Sequence, residues 1–142
     1  QAKYVLRAEH VTFLTLIAVC SHCGLVSDAA RIFEQSKAND KLDEKTYAAM
    51  IDCYARNARL SEAYALWCEY HQSAHTQAEP HALKSTQHML VALLHGCRKY
   101  GEHKLAQHIY RQMKQMRFET DENVMLNAAT LMRDIHRKQA PN

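Results

Sequence analysis

Chain breakers are scarce in this 142-residue chain, which holds three Gly and two Pro. With Ala, Leu, Met, Gln, Lys and Arg abundant, that scarcity favours an all-helical protein. No run of 18 apolar residues occurs, so no membrane-spanning helix is expected. Neither a Gly-rich phosphate loop nor a nucleophile elbow nor H-E-x-x-H is present, and H-x-E is missing altogether. No enzymatic activity and no cofactor are therefore expected. The five Cys are odd in number and fall inside helical patterns, which argues for free thiols in a reducing compartment. Cys20 and Cys23 form a single C-x2-C pair. A structural zinc site usually needs four ligands, so no metal is expected there. The ten His include His71 and His75 at i, i+4 and the neighbours His103 and His108, without Cys or carboxylate at matching spacing. They read as solvent-facing. The chain opens on Gln rather than Met, so it reads as a processed chain or part of a longer one. The lack of a targeting segment then carries no weight.

At this length one domain is expected, enough to bury about two-thirds of its unfolded surface. Charge is uneven. Residues 1–80 hold 8 Lys/Arg against 10 Asp/Glu, and residues 81–142 hold 10 against 5. A mildly basic second half is compatible with a polyanionic partner.

What is present is a repeat. His10–Ser36 reads as two short amphipathic helices around Gly24, and its pattern returns 34 residues later over Glu44–Tyr70. Thr12 returns as Thr46, Phe13 as Tyr47, Ile17 as Ile51, Val26 as Leu60, Ala29 as Ala63 and Phe33 as Trp67. Phe13, Leu16, Ile17 and Cys20 fall at i, i+3, i+4, i+7, one helical stripe. Ala29, Ile32 and Phe33 form the stripe of the second helix. Gly24 ends the first helix, and Ser27 is placed to cap the next, with Asp28 in its first turn. In the second unit Asp43 is the expected cap, Tyr47, Met50, Ile51 and Tyr54 the first stripe, and Ala63, Leu66, Trp67 and Tyr70 the second. Ala58 takes the Gly position and Ser61 the cap. Ala63 then finds its counterpart at Ala106, 43 residues on, so about nine residues are inserted. The insertion is read as a loop over His71–Ser85. The third unit places Leu90, Leu93, Leu94 and Cys97 on one stripe, Gly101 at the turn, and Ala106, Ile109, Tyr110 and Met113 on the other. A last helix from Glu122 puts Met125, Ala128, Ala129 and Met132 inward. Gln1–Glu9 reads as the tail of an earlier element or a lead-in helix, with Tyr4, Val5 and Leu6 over the first repeat's end. The expected fold is an all-α solenoid of helix-turn-helix repeats over 1–142. Its repeats are about 10–43, 44–86 and 87–121, with a terminal half-repeat at 122–138 that caps the array.

Helix pairs opening V-T-F/Y and closing G-x-x-x-x-A-x-x-x-F resemble the pentatricopeptide repeat family. VTFLTLIAVCSHCGLVSDAARIFEQS, TYAAMIDCYARNARLSEAYALW and HMLVALLHGCRKYGEHKLAQHIYRQM carry the likeness, and LLHGCRKYG is similar to modified units of plant-type members. The tetratricopeptide repeat has the same period but needs a small residue where the helices cross. Here Ile17, Ile51 and Leu94 are bulky.

The resemblance implies an RNA-binding solenoid of mitochondria or chloroplasts, the mitochondrion favoured, in which each repeat reads one base through two or three side chains. The family's reading pairs fall here on Leu14 with Asp43 and on Val91 with Asp121, and the second unit has Ala48. Reading a base edge needs a donor or acceptor, which Leu14, Ala48 and Val91 lack. Of the residues that flank bases in the family, Val11 fits, whereas Lys45 and His88 do not. Cations at the ends of the first helices, His22, Arg56, Arg98 and Lys99, are expected to meet phosphates along one groove edge. Partners implied are RNA, single-stranded or ribosomal, and protein subunits of a larger assembly such as a mitochondrial ribosome.

Overall fold

The computed structural model describes the backbone of residues 2–38, 44–77, 80–115 and 122–139, and the side chains of 12–38, 44–72, 89–115 and 123–138. Seven α-helices and no strand occur among them: α1 Ala2–His22, α2 Val26–Ala38, α3 Glu44–Arg56, α4 Leu60–Gln77, α5 Pro80–Tyr100, α6 His103–Gln115 and α7 Glu122–Gln139. None of the helices is long and apolar enough to cross a membrane among the described residues.

The three turns inside the pairs are built alike. Gly24, Ala58 and Gly101 all have positive φ, at 75°, 64° and 72°. In each, the amide of the next residue closes back on the helix end. Leu25 N–H donates to the Cys20 carbonyl at 2.8 Å, Arg59 to Tyr54 at 2.8 Å, and Glu102 to Cys97 at 2.9 Å. This six-residue closure satisfies carbonyls that a helix end leaves open. The next helix starts at once, because Leu25, Arg59 and Glu102 carbonyls already accept from Ala29, Ala63 and Ala106. Ser27 and Ser61 are therefore inside the first turn and not at the caps expected of them. The acids Asp28 and Glu62 lie in that first turn, where the helix dipole favours negative charge. Ala58 holds a conformation that costs an L-residue about 1 kcal/mol relative to Gly. Ala58→Gly is expected to stabilise the chain by about 1 kcal/mol, raising Tm by about 3 °C. Gly24→Ala is expected to lower it by a similar amount. A Cβ at Gly24 meets only the Asn57 Oδ1 at 3.6 Å, an ordinary contact, so the loss is conformational. Thermal melts followed by circular dichroism test both signs.

The chain divides into two compact units, Gln1–Leu66 and Trp67–Asn142. In the first, α1, α2 and α3 pack on one another. Ile17, Ala29, Phe33, Met50 and Ile51 are buried, and the Phe33 and Tyr47 rings meet edge to face at 5.6 Å. In the second, α5, α6 and α7 pack together around Leu90, Leu93, Leu94, Cys97, Ala106, Ile109 and Met113. Each of the Leu, Ile, Met and Phe side chains among them contributes about 2 kcal/mol by leaving water.

Four further expectations change. The loop read over His71–Ser85 is helical where described, since α4 runs on to Gln77 and Pro80 opens α5. Its Ala, Gln, Leu and Lys favour helix, and Pro is tolerated at a first helical position. Gln1–Glu9 is no separate lead-in, for α1 is continuous from Ala2. The side chains of Tyr4, Val5 and Leu6 lie outside the described residues. Leu16 is exposed, whereas Ile17 and Cys20 on the same expected stripe are buried. On α7 the buried stripe is Val124, Ala128, Leu131 and Ile135, one residue round from the expected one. Met125, Ala129 and Met132 are only half-buried.

Candidate nucleic-acid interface

The shared turn fixes the position of three basic residues. His22, Arg56 and Lys99 each stand two residues before a left-handed position, and all three are exposed. His22 and Arg56 end the neighbouring helices α1 and α3, and Lys99 lies in the last turn of α5. Arg56 Nε donates to Asp52 Oδ2 at 2.7 Å on an open surface. An exposed i, i+4 pair of this kind contributes only about 0.3–0.5 kcal/mol, so a phosphate can replace the carboxylate. The Lys99 ammonium lies 5.3 Å from the centre of the Tyr100 ring.

Arg98 is differently placed. It is half-buried and reaches from α5 to Asp134 of α7 at 3.3 Å, and the same carboxylate also takes Arg137. Arg98 thus ties two helices of its unit together. His95, on the turn before, is pushed below the ordinary histidine range, first by burial and then by the Arg98 charge.

The reading register lies elsewhere on the same helices. Leu14, Ala48 and Val91 are half-buried and stand eight residues before His22, Arg56 and Lys99. Eight residues of helix span about 12 Å. Only Ala48 is near the start of its helix. Both α1 and α5 have 21 residues against 13 in α3, and the excess lies on the N-terminal side. Leu14 and Val91 are therefore mid-helix and not in an opening turn. Asp43 and Asp121 lie outside the described residues, as do the side chains of Val11 and His88, and Lys45 is exposed.

Two residues that matter locally were not singled out from the sequence. Asn57, just before Ala58, donates through Nδ2 to the Cys53 carbonyl at 2.8 Å and the Ser21 carbonyl at 3.4 Å. It joins the α3 turn to the end of α1, beside a cleft of about 380 Å³ lined by Gly24–Asp28, Asn57 and Arg59. Asp134 is the other. Both have partners 36 residues away, which a reading of helical period does not reach.

No group of metal-binding side chains occurs among the described residues. Cys20, Cys53 and Cys97 are buried and Cys23 is exposed, so the C-x2-C pair is split between core and surface. Burial pushes the Cys97 thiol up to about 12, with Glu102 adding to it. Burial also raises the Cys53 thiol, with the Ser21 side chain acting against it. At pH 8 only about one Cys97 in ten thousand is thiolate, the reactive form. Cys23 is expected to be alkylated at least a hundredfold faster than Cys97 in the folded chain, as peptide mass spectrometry after a timed pulse will show. His71, expected to face solvent, instead stacks on Trp67, with ring centres 4.8 Å apart and planes within 8°.

The family model described as PPR repeat matches residues 11–40, 45–73 and 89–118. A putative pentatricopeptide repeat-containing protein of Arabidopsis thaliana is 30% identical over 83% of this chain and 25% of its own length. A mitochondrial one from the same plant is 30% identical over 72% of the chain and 15% of itself. A chloroplastic one is 38% identical over 44% of the chain and 8% of itself. The chain thus spans a quarter or less of these relatives. Three matches that together cover more than half of the residues fall on three helix-turn-helix units built on one turn, and the chain belongs to the pentatricopeptide repeat family, an all-α helical solenoid.

Proposed function

We propose that this chain is a non-enzymatic, RNA-associated module of an organelle that holds RNA by its phosphates and discriminates little among bases. The observation that carries this reading is a contrast between two registers of the first helices. The reading register is apolar and half-buried at Leu14, Ala48 and Val91, whereas the register eight residues on is basic and exposed at His22, Arg56 and Lys99. An apolar side chain cannot answer the donors and acceptors of a base edge. A phosphate is met by any cation, whatever the base. Arg98 has a lesser part, since Asp134 already holds it. Asp43 and Asp121 would each complete a reading pair whose other member is apolar. Two of the relatives above are named as mitochondrial and chloroplastic, which supports a role in either organelle, in RNA processing, stability or translation.

A second reading has its own support. It makes the chain a scaffold within a large organellar ribonucleoprotein such as a mitochondrial ribosome, touching protein subunits and folded RNA by shape and charge. The longer α1 and α5 favour it. Each stands about two turns beyond the register where a single strand would be read.

Fluorescence anisotropy with short RNAs tests the proposal. Single strands of different sequence should bind within about threefold of one another. The two charged contacts, Arg56 and Lys99, give a slope of about −1.4 for log K against log salt, at roughly 0.7 per contact on single strands. A hundredfold preference for one sequence would overturn weak base reading. Absence of binding to single-stranded and folded RNA alike, at low salt, would leave only protein contacts.

A further inference from the structure

The second helices of the three pairs differ in charge. α2 holds two Lys/Arg against two Asp/Glu, α4 none against two, and α6 three against none. Ala29, Ala63 and Ala106, all fully buried, put the three in one register. Where α6 has Lys104, His108, Arg111 and Lys114, α2 has Ser27, Arg31, Glu34 and Lys37, and α4 has Ser61, Ala65, Cys68 and His71. Arg31 is paired with Asp28 at 2.7 Å. The repeat thus folds with neutral or paired side chains at these positions, and packing does not call for the cations of α6.

Their placement even works against the helix. Lys104 stands in the first turn, where α2 and α4 have Asp28 and Glu62 and where the dipole disfavours a cation. Arg111 and Lys114 are like charges one turn apart. Neither Lys104 nor Arg111 has an acidic partner among the described residues. A local rule broken without a gain in packing points to a use outside the fold. Lys104, His108 and Arg111, at i, i+4, i+7, lie opposite the buried Ala106, Ile109 and Met113, and Lys114 flanks them. The row is exposed and about 15 Å long.

We propose that this outward face of α6 is a second phosphate-binding surface, and that its partner is duplex RNA. A single strand is held in part by stacking its bases on exposed rings. The aromatic of α6, Tyr110, is half-buried and has the Lys114 ammonium over its ring at 4.7 Å. A duplex hides its bases and presents phosphates, which a straight row of cations meets without reading sequence. A membrane would need apolar side chains to insert, and the large exposed ones lie on other elements. A protein interface would want a core poor in charge with aromatic anchors. The choice of RNA rests on the proposed function. The surface itself does not, since it uses none of His22, Arg56 and Lys99.

The test is anisotropy with the full chain at 0.1 M salt, on an RNA duplex of about 20 base pairs and a single strand of the same length. Each duplex contact releases about 0.9 counterion and so contributes about eightfold. Lys104→Gln with Arg111→Gln and Lys114→Gln should weaken duplex binding at least about fiftyfold, roughly two contacts, and single-strand binding less than about threefold. Arg56→Ala with Lys99→Ala should do the reverse, and that single-strand loss tests the proposed function whatever the duplex does. A control that loses as many cations on the first unit, Arg31→Gln, Lys37→Gln and Arg59→Gln, should keep duplex affinity within about threefold. The α6 variant should melt no lower than the parent, because Gln suits a helix and relieves the charge at its start. A parent that does not hold the duplex, a loss no larger than the control's, or an α6 variant that melts well below the parent would overturn the proposal. So would duplex DNA bound more tightly than duplex RNA. Phosphatidylglycerol vesicles that bind the parent and not the α6 variant, with duplex affinity unchanged, would overturn it in favour of a membrane surface.

Discussion

Leu94→Ala is expected to destabilise the chain by about 3 kcal/mol, while Leu16→Ala changes stability by no more than about 0.5 kcal/mol. The two leucines share a residue type, and both fall on the first-helix stripe of the sequence, Leu16 one position before the register of Leu94. Leu94 is fully buried in α5, among Leu90, Leu93 and Cys97 in the core of the second unit. Truncation there loses the transfer energy of the removed carbons and leaves a cavity that the packed neighbours only partly fill. Leu16 is exposed on α1, so its truncation removes little buried area, and the better helix propensity of Ala offsets part of that. In urea, with a slope of about 2 kcal/mol per molar, Leu94→Ala should lower the midpoint by about 1.5 M. The Leu16→Ala midpoint should stay within about 0.3 M of the parent. Equal losses at the two sites would mean that Leu16 is covered in solution.

That pair of leucines marks where sequence pattern stops being informative. Helical period identifies a stripe but not how many neighbours cover it. Ile17, Ile51 and Leu94 face inward in every unit and were legible, as were Gly24 and Gly101, because a left-handed residue has a strong compositional signature. Ala58 at φ 64° was legible only through the register of the repeat, since nothing in Ala itself signals the turn. The one-residue rotation of the α7 face was not. An amphipathic helix with Val124, Met125, Ala128, Ala129, Leu131 and Met132 offers two adjoining apolar stripes, and only the identity of its neighbours selects one. Helix ends failed in a similar way. His71–Ser85 lacks apolar period, which reads as loop, yet a helical extension needs only good helix formers. Within the candidate interface, the cationic register was legible from the repeat alone. The division of labour between Arg98 and Lys99 was not, because it depends on Asp134.

That division of labour sets the outcome of removing cations. Arg56→Ala with Lys99→Ala is expected to weaken single-stranded RNA binding about 25-fold at 0.1 M salt. Each phosphate contact releases about 0.7 counterion, so at 0.1 M it contributes about fivefold in affinity. Two independent contacts multiply. The advantage is entropic and fades with salt, so at 0.5 M the same double variant should differ from the parent by less than about threefold. Arg56→Ala should be the more damaging of the two single changes. It leaves Asp52, now without the guanidinium 2.7 Å away, facing the strand. Lys99→Ala leaves only the Tyr100 ring. Arg98→Ala provides the contrast. Its guanidinium is half-buried against Asp134, so the change should cost stability through the α5–α7 contact and alter affinity by less than about threefold. Anisotropy titrations of the four variants at 0.1 and 0.5 M salt separate these outcomes. A double variant that binds as tightly as the parent at 0.1 M would place the phosphates away from the ends of the first helices, and an Arg98→Ala loss as large as that of Lys99→Ala would show that Asp134 releases its partner to RNA.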